Sequence, residues 1–187
     1  MIKLIKNFIS QEKADTIEKD LLGDYFDWYW NASTLGITER DNFKTKNTVE
    51  EGQFVHRLLD TPTNTKSSLY EGFTKVFDII NYENTIRVKC NLNLNKTGYK
   101  KTSHQPIHID VSSKENKSLI YYVNDSDGDT IFFDKKLKEI KRVTPKKNTA
   151  VLFDSNILHC GCNPIKSSMR GVINFIFKDN ENNFLYR

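Results

Sequence analysis

From Ile86 onward this chain is written in short runs whose side chains alternate, and that period limits the folds open to it. Ile86, Val88 and Cys90 alternate with Arg87 and Lys89. Residues 118–123, 130–133, 139–143, 149–153 and 170–177 are further apolar runs of strand length. Turn chemistry separates them: Asp127-Gly128, Pro145 to Asn148, and Gly161 to Pro164. Many short strands at close spacing cannot form a parallel sheet with helical crossovers. They fit a sandwich or jelly roll, in which two sheets bury each other's inner faces.

The first part of the chain has a different period. Residues 2–9 read as a short strand or lead-in. Ser10 then caps a helix in which Ala14, Ile17, Leu21 and Leu22 form one stripe, and Gly23 ends it. An aromatic patch, Tyr25 to Trp30, follows, with Trp28 and Trp30 read as packing. A second helix is expected from Ser67 to Ile80, with Leu69, Phe73, Val76, Phe77 and Ile80 on one side. Residues 31–53 are polar and weakly patterned, and a loop of that length is a candidate lid. The expectation is one domain over 1–187: residues 1–85 as helical support with the lid, and residues 86–187 as a jelly-roll core. With 187 residues no disulfide staple is needed.

Charge excludes some functions. Lys and Arg number 28 against 24 Asp and Glu, a net +4 without long like-charge blocks, so a nucleic-acid partner is not expected. No segment has the ~20 apolar residues of a membrane span. Three cysteines, Cys90, Cys160 and Cys162, with no secretory signal at the N-terminus, fit reduced thiols and a cytoplasmic protein. Cys160 and Cys162 are read as bystanders. His104, in a loop before Pro106, is expected at the surface or the cavity mouth, and His56 is left open between structural and entrance roles.

The chemistry concentrates in four positions. His108 and Asp110, two apart, project to the same side of an extended segment. His159 follows the run 149–153 after a bend at Asp154 to Asn156. Two imidazoles and one carboxylate are the ligand set of a non-haem Fe(II) centre with open positions. With four histidines in the chain, the tripeptide alone is close to a chance event, so the surrounding residues carry the reading. Arg170 begins an alternating strand on the side shared by Val172, Asn174 and Ile176. An inward Arg on such a strand needs an anion, and a carboxylate held by its guanidinium would supply it. Tyr122 could donate a hydroxyl to the same carboxylate. Asn174 is expected to line the cavity.

These segments, in this order over residues 86–177, resemble the 2-oxoglutarate- and Fe(II)-dependent oxygenases, closest to their prolyl-hydroxylase-like branch. The similarity rests on the strand before His108-Ile109-Asp110, on Ile120 to Asn124, on Gly128-Asp129-Thr130, on the approach to His159, and on Arg170 eleven residues later. The resemblance implies a double-stranded β-helix, cupin-like, mainly β with N-terminal helices. It implies Fe(II) on His108, Asp110 and His159. It also implies 2-oxoglutarate held by Arg170 and Tyr122, with O2 as the second co-substrate and ascorbate as a candidate reductant. A peptidyl prolyl hydroxylase is the leading activity so implied. A small-molecule or amino-acid hydroxylase is the alternative, ahead of a nucleic-acid demethylase or a non-catalytic metal-binding jelly roll. The partner expected is therefore a peptide, protein or small-molecule substrate. Two departures bear on the pocket. Asp127 replaces the first glycine of the family's Gly-Gly-x-Thr turn, and Asn91 and Asn93 stand where that branch often has tyrosine.

Overall fold

The computed structural model describes residues 1–33 and 43–179. Eleven strands and two helices follow in order: β1 (Ile2–Lys6), α1 (Gln11–Leu22), β2 (Tyr29–Asn31), β3 (Gln53–Asp60), β4 (Thr65–Lys66), α2 (Tyr70–Val76), β5 (Thr85–Leu94), β6 (Asn116–Tyr122), β7 (Thr130–Phe133), β8 (Glu139–Val143), β9 (Thr149–Asp154), β10 (Leu158–Gly161) and β11 (Met169–Lys178). The major sheet runs β1-β9-β6-β11-β5-β3-β2, with β4 paired to β3. The minor sheet runs β10-β7-β8. All the pairings between these strands are antiparallel. This is the jelly roll among the folds the alternation allowed, and the double-stranded β-helix the resemblance implied.

The period-2 pattern sorts the side chains of the major sheet between two cores, one on each face. On the outer face of the major sheet, Leu119, Tyr121, Ile173, Phe175 and Phe177 pack against Ala14, Ile17 and Leu21 of α1 and Phe73 and Phe77 at α2. Tyr121 meets Phe77 edge-on at 4.9 Å between centroids, as expected for a packing residue. On the inner face, Ile120, Tyr122, Val151, Phe153 and Val172 meet Phe132 and Val143 of the minor sheet.

The ends of α1 follow the local code. Ser10 Oγ accepts from the Lys13 N–H, and Gly23 closes the helix. A Cβ at Gly23 would lie 2.5 Å from the Lys19 carbonyl oxygen. Trp28 packs partly buried against this layer, its indole N–H donating to Leu21 O at 3.2 Å, whereas Trp30 is 62% exposed. No helix among the described residues is long and apolar enough to cross a membrane.

Three expectations change. The second helix is shorter than Ser67–Ile80, because its last part unwinds at Phe77, where φ is −94° and ψ 47°. Residues 1–85 supply β1 to β4 as well as helices, and β3 forms a full neighbour of β5. A bulge between Arg57 and Leu59 breaks the alternation of β3 and hid it in the sequence. Of the segment 31–53 read as a lid, residues 34–42 lie outside the described residues.

Candidate metal centre and its cavity

His108 and His159 are joined by backbone before their side chains meet. Each donates its N–H to the other's carbonyl at 2.9 Å, forming an isolated antiparallel bridge. Such a mutually hydrogen-bonded pair holds its two Cα atoms ~5.5 Å apart with side chains on one face. The two rings lie 4.5 Å apart. Asp110 is fastened in turn through its N–H to Ser155 O at 2.9 Å. One ligand atom from each of His108, Asp110 and His159 falls within 4.8 Å of the others, a spacing that could hold a metal ion.

The neighbours of the trio prepare it for that task. His108 Nδ1 faces Pro106 O at 3.2 Å, and His159 Nδ1 faces Ile157 O at 2.9 Å. A carbonyl can only accept, so each Nδ1 carries the proton and each Nε2 keeps its lone pair. His159 Nε2 lies 3.7 Å from Asp110 Oδ2. Burial, then His159, pushes His108 down to about 4, so it is neutral and a competent ligand at neutral pH. Burial works against ionisation of Asp110. The imidazoles of His159 and His108 when protonated, the Arg87 guanidinium and the Ser118 hydroxyl outweigh it and hold the carboxyl well below its usual range. The contacts are an Arg87 Nη2 donor at 2.8 Å, the Ser118 hydroxyl at 2.6 Å and the Asn174 amide at 3.2 Å.

A cavity extends from the trio to Arg170, lined by Lys89, Asn91, Asn93, Gln105, Thr130 and Asn174 among others. Arg170 is 4% exposed. Its Nε donates to Gly128 O at 2.7 Å and Nη2 to the Thr130 hydroxyl at 2.8 Å, with Nη1 near Asn93 Oδ1 at 3.4 Å. All three acceptors are neutral, and no carboxylate among the described residues pairs with this buried cation. Three of its five N–H groups are used, which leaves two to give away. Gly128 permits the arrangement: a Cβ there would lie 2.5 Å from Cys162 O and 2.9 Å from Arg170 Cδ.

Of the sequence candidates, His108, Asp110, His159, Arg170 and Asn174 all line this cavity. Tyr122 stands behind it. Its ring is fully buried in the inner core, and its hydroxyl donates to Thr130 Oγ1 at 2.9 Å rather than reaching the cavity wall. Burial pushes its hydroxyl up to about 12, so it stays a donor. His104 is a correction: it is 3% exposed, with Nδ1 on Gln105 O and Nε2 on the Thr45 hydroxyl. The loop folds back under strand-like residues near Thr48, so its position before Pro106 did not put it at the surface. His56 is structural, bonded to Asp27 O at 2.7 Å and the Ser67 hydroxyl at 2.8 Å. Cys160 and Cys162 are buried free thiols, and burial raises both.

The residues missed are Lys89, Gln105, Thr130, and Arg87 and Ser118 beside Asp110. For Arg87, Lys89 and Ser118 the signal was the polar half of the alternating β5 and β6, which faces the interior here, whereas Gln105 lies between β5 and β6 and Thr130 begins β7.

The fit of a polar ligand shows in orphaned atoms. Asn91 Oδ1, Asn93 Nδ2, Gln105 Oε1 and Asn174 Oδ1 are buried without hydrogen-bond partners, and all four residues line this cavity. Buried polar groups are normally paired, so their convergence marks a place where a polar ligand completes the bonding.

Comparison with known proteins agrees with this geometry. Residues 92–178 match the model of the 2OG-Fe(II) oxygenase superfamily. No curated protein sequence matches. The fold is shared with a Trichoplax adhaerens prolyl hydroxylase solved with a hypoxia-inducible-factor peptide, at 14% identity over 95% of this chain and 83% of that one, TM-score 0.62. It is shared with a Pseudomonas putida prolyl-4-hydroxylase at 13% identity over 96% and 92%, TM-score 0.53. The α-ketoglutarate-dependent epimerase SnoN of nogalamycin biosynthesis also shares it, at 9% identity over 95% and 77%, TM-score 0.59.

Proposed function

We propose, from the match of residues 92–178 to the 2OG-Fe(II) oxygenase superfamily and from the site, that this chain hydroxylates a peptide or small-molecule substrate through His108, Asp110, His159 and Arg170. Fe(II) is its metal and 2-oxoglutarate its co-substrate. The observation that carries the site reading is Arg170: a buried guanidinium without a counter-anion, in the same cavity as two imidazoles and a carboxylate.

His108 Nε2, His159 Nε2 and one Asp110 oxygen would hold the iron. When bound, Fe(II) with 2-oxoglutarate and O2 supplies the oxidant that puts one oxygen atom into a C–H bond, the other leaving in succinate alongside CO2. Pro106 O and Ile157 O fix the imidazole tautomers. Ser118 and Arg87 orient Asp110, and such outer partners tune both ligand basicity and metal affinity. Arg170, with its two spare N–H groups, and the Thr130 hydroxyl would receive the far carboxylate of the oxoacid. Tyr122 acts through Thr130: by donating to Oγ1 it turns the Thr130 proton away, toward the cavity. Asn93 Nδ2 offers a further free donor. Ile120 and Val172 supply the apolar part of the wall, which limits water at the reacting centre.

The peptidyl prolyl side chain is the leading substrate by likeness to the branch, and the peptide-bound Trichoplax enzyme supports a peptide. SnoN, with the same fold, is named for an epimerase, so fold does not choose between them. The test is succinate formation from 2-oxoglutarate in air with added Fe(II). Wild type should form it slowly without substrate, and His108→Ala should form none and retain no iron. A wild type that binds Fe(II) and 2-oxoglutarate yet yields no succinate under any candidate substrate would end this reading.

A further inference from the structure

A second cation, Lys89, stands in the cavity wall with Arg57 half exposed beside it, and the oxoacid accounts for neither. Lys89 of β5 sits opposite Asn174 of β11 on one side and Arg57 of β3 on the other. Asn174 touches Asp110, so this cross-strand row lies level with the metal ligands. Arg170 pairs with Asn93, four residues further along both strands, ~13 Å at the strand rise. Lys89 lines the cavity and has no hydrogen-bond or ion-pair partner among the described residues. Arg57, opposite Lys89 in register, is half exposed and pairs with Asp60 at 3.9 Å.

The charges do not balance. Lys89, Arg57 and Arg87 bring three positive charges, and Asp60 and Asp110 bring two negative ones. That leaves one positive charge before any metal, and a divalent ion on Asp110 adds two more. A diacid with one end on Arg170 and the other on the metal leaves Lys89 without an anion, and Arg57 with Asp60 alone at 3.9 Å. A cation kept in a cavity wall without a partner is costly unless something binds there.

We propose that Lys89 and Arg57 receive a carboxylate of the substrate, so that this enzyme oxidises a carbon beside an anionic group. The inference rests on the oxygenase reading above and narrows its substrate class. The carboxylate can belong to an acidic residue flanking the oxidised one in a peptide, or to a free amino acid. Both meet the row in the same way.

The test uses the Mn(II)- and 2-oxoglutarate-loaded protein without O2, so that binding is read apart from turnover. The probes are matched pairs: free L-proline against L-prolinamide, and short proline peptides with Asp or Glu beside proline against the same peptides with Asn or Gln. Calorimetric titration should show at least one acid binding about tenfold tighter than its amide. Which pair responds identifies the source of the carboxylate. The preference should vanish in Lys89→Met and weaken in Arg57→Gln, a rim substitution that does not threaten the fold. Equal binding of every acid and its amide to wild type overturns the proposal. So does a preference that survives both substitutions, or loss of 2-oxoglutarate binding in Lys89→Met, which would give Lys89 to the co-substrate. Failure of wild type to take up Mn(II) and 2-oxoglutarate would instead count against the oxygenase reading.

Discussion

Replacing Arg170 with methionine should separate folding from co-substrate binding. The guanidinium is 4% exposed, and its hydrogen bonds go to Gly128 O, Thr130 Oγ1 and, more weakly, Asn93 Oδ1. Removing it leaves Gly128 O without its donor, a loss of ~1–3 kcal/mol. Thr130 keeps the Tyr122 hydroxyl and loses less. Against this, methionine spares the chain the burial of an unpaired charge, a penalty of several kcal/mol. The two effects oppose, so the metal-free protein should change by no more than ~2 kcal/mol, or ~4–8 °C in Tm.

Binding has no such compensation. Two charge-assisted hydrogen bonds to a carboxylate at ~1.5–3 kcal/mol each amount to ~3–6 kcal/mol. At a factor of ten per ~1.4 kcal/mol, the Kd for 2-oxoglutarate should rise ~10²–10⁴-fold. Arg170→Lys keeps the charge without the fork and should fall between. Calorimetric titration of 2-oxoglutarate into the Mn(II) form measures the first quantity and thermal denaturation the second. A folded Arg170→Met variant whose Kd stays within threefold of wild type would refute the anchor. A Tm loss far beyond 8 °C would show that the residue's main work is structural.

Ser118→Ala removes the 2.6 Å hydroxyl contact to Asp110 and should weaken Fe(II) binding ~10–100-fold by competition with a chromophoric chelator; an unchanged constant would remove Ser118 from the site. Gly128→Ala drives a Cβ against Cys162 O and should cost at least ~2 kcal/mol in urea unfolding while also raising the KM for 2-oxoglutarate. In the metal-free protein His108 titrates at about 4 against an ordinary ~6.5. Between those values the unfolded chain binds the proton and the folded chain does not, so this stability is present above pH ~6.5 and is lost as pH falls toward 4. The expected loss is ~2–3 kcal/mol, read as the difference in urea stability between pH 7 and pH 4 and reduced in His108→Gln; equal pH slopes in the two proteins would contradict it.

What could be read from the chain depended on whether a side chain's neighbours share its character. His108, Asp110, His159 and Arg170 were legible because few other roles suit those residue types at those places. Val88 and Cys90 were legible as the buried half of β5, with Ile86 half-buried before them. Lys89, Asn91 and Asn93, the other half, follow the same alternation as a solvated face. Their face is in fact interior, but it is the wall of a polar cavity, and alternation cannot distinguish polar-to-ligand from polar-to-water. The same ambiguity hid β3, where Gln53 lines the cavity and the bulge near Leu58 shifts the period. Tyr122 was placed on the correct face, but sequence could not show that Thr130 would come between it and the cavity. For His104, a loop position before proline gave no warning that Thr45 and Gln105 would enclose it.

The mutual backbone bonds of His108 and His159 have a consequence for how such a fold can change. The clasp between the two segments uses only N–H and carbonyl groups, which every residue but proline carries in full. The seam can therefore persist when either imidazole is exchanged. A lineage can lose, alter or regain the metal's coordination by point substitution without first dismantling the architecture that brings together positions 51 residues apart. The chemistry rides on the scaffold as a detachable fitting, and the loss of iron need not be the loss of the protein.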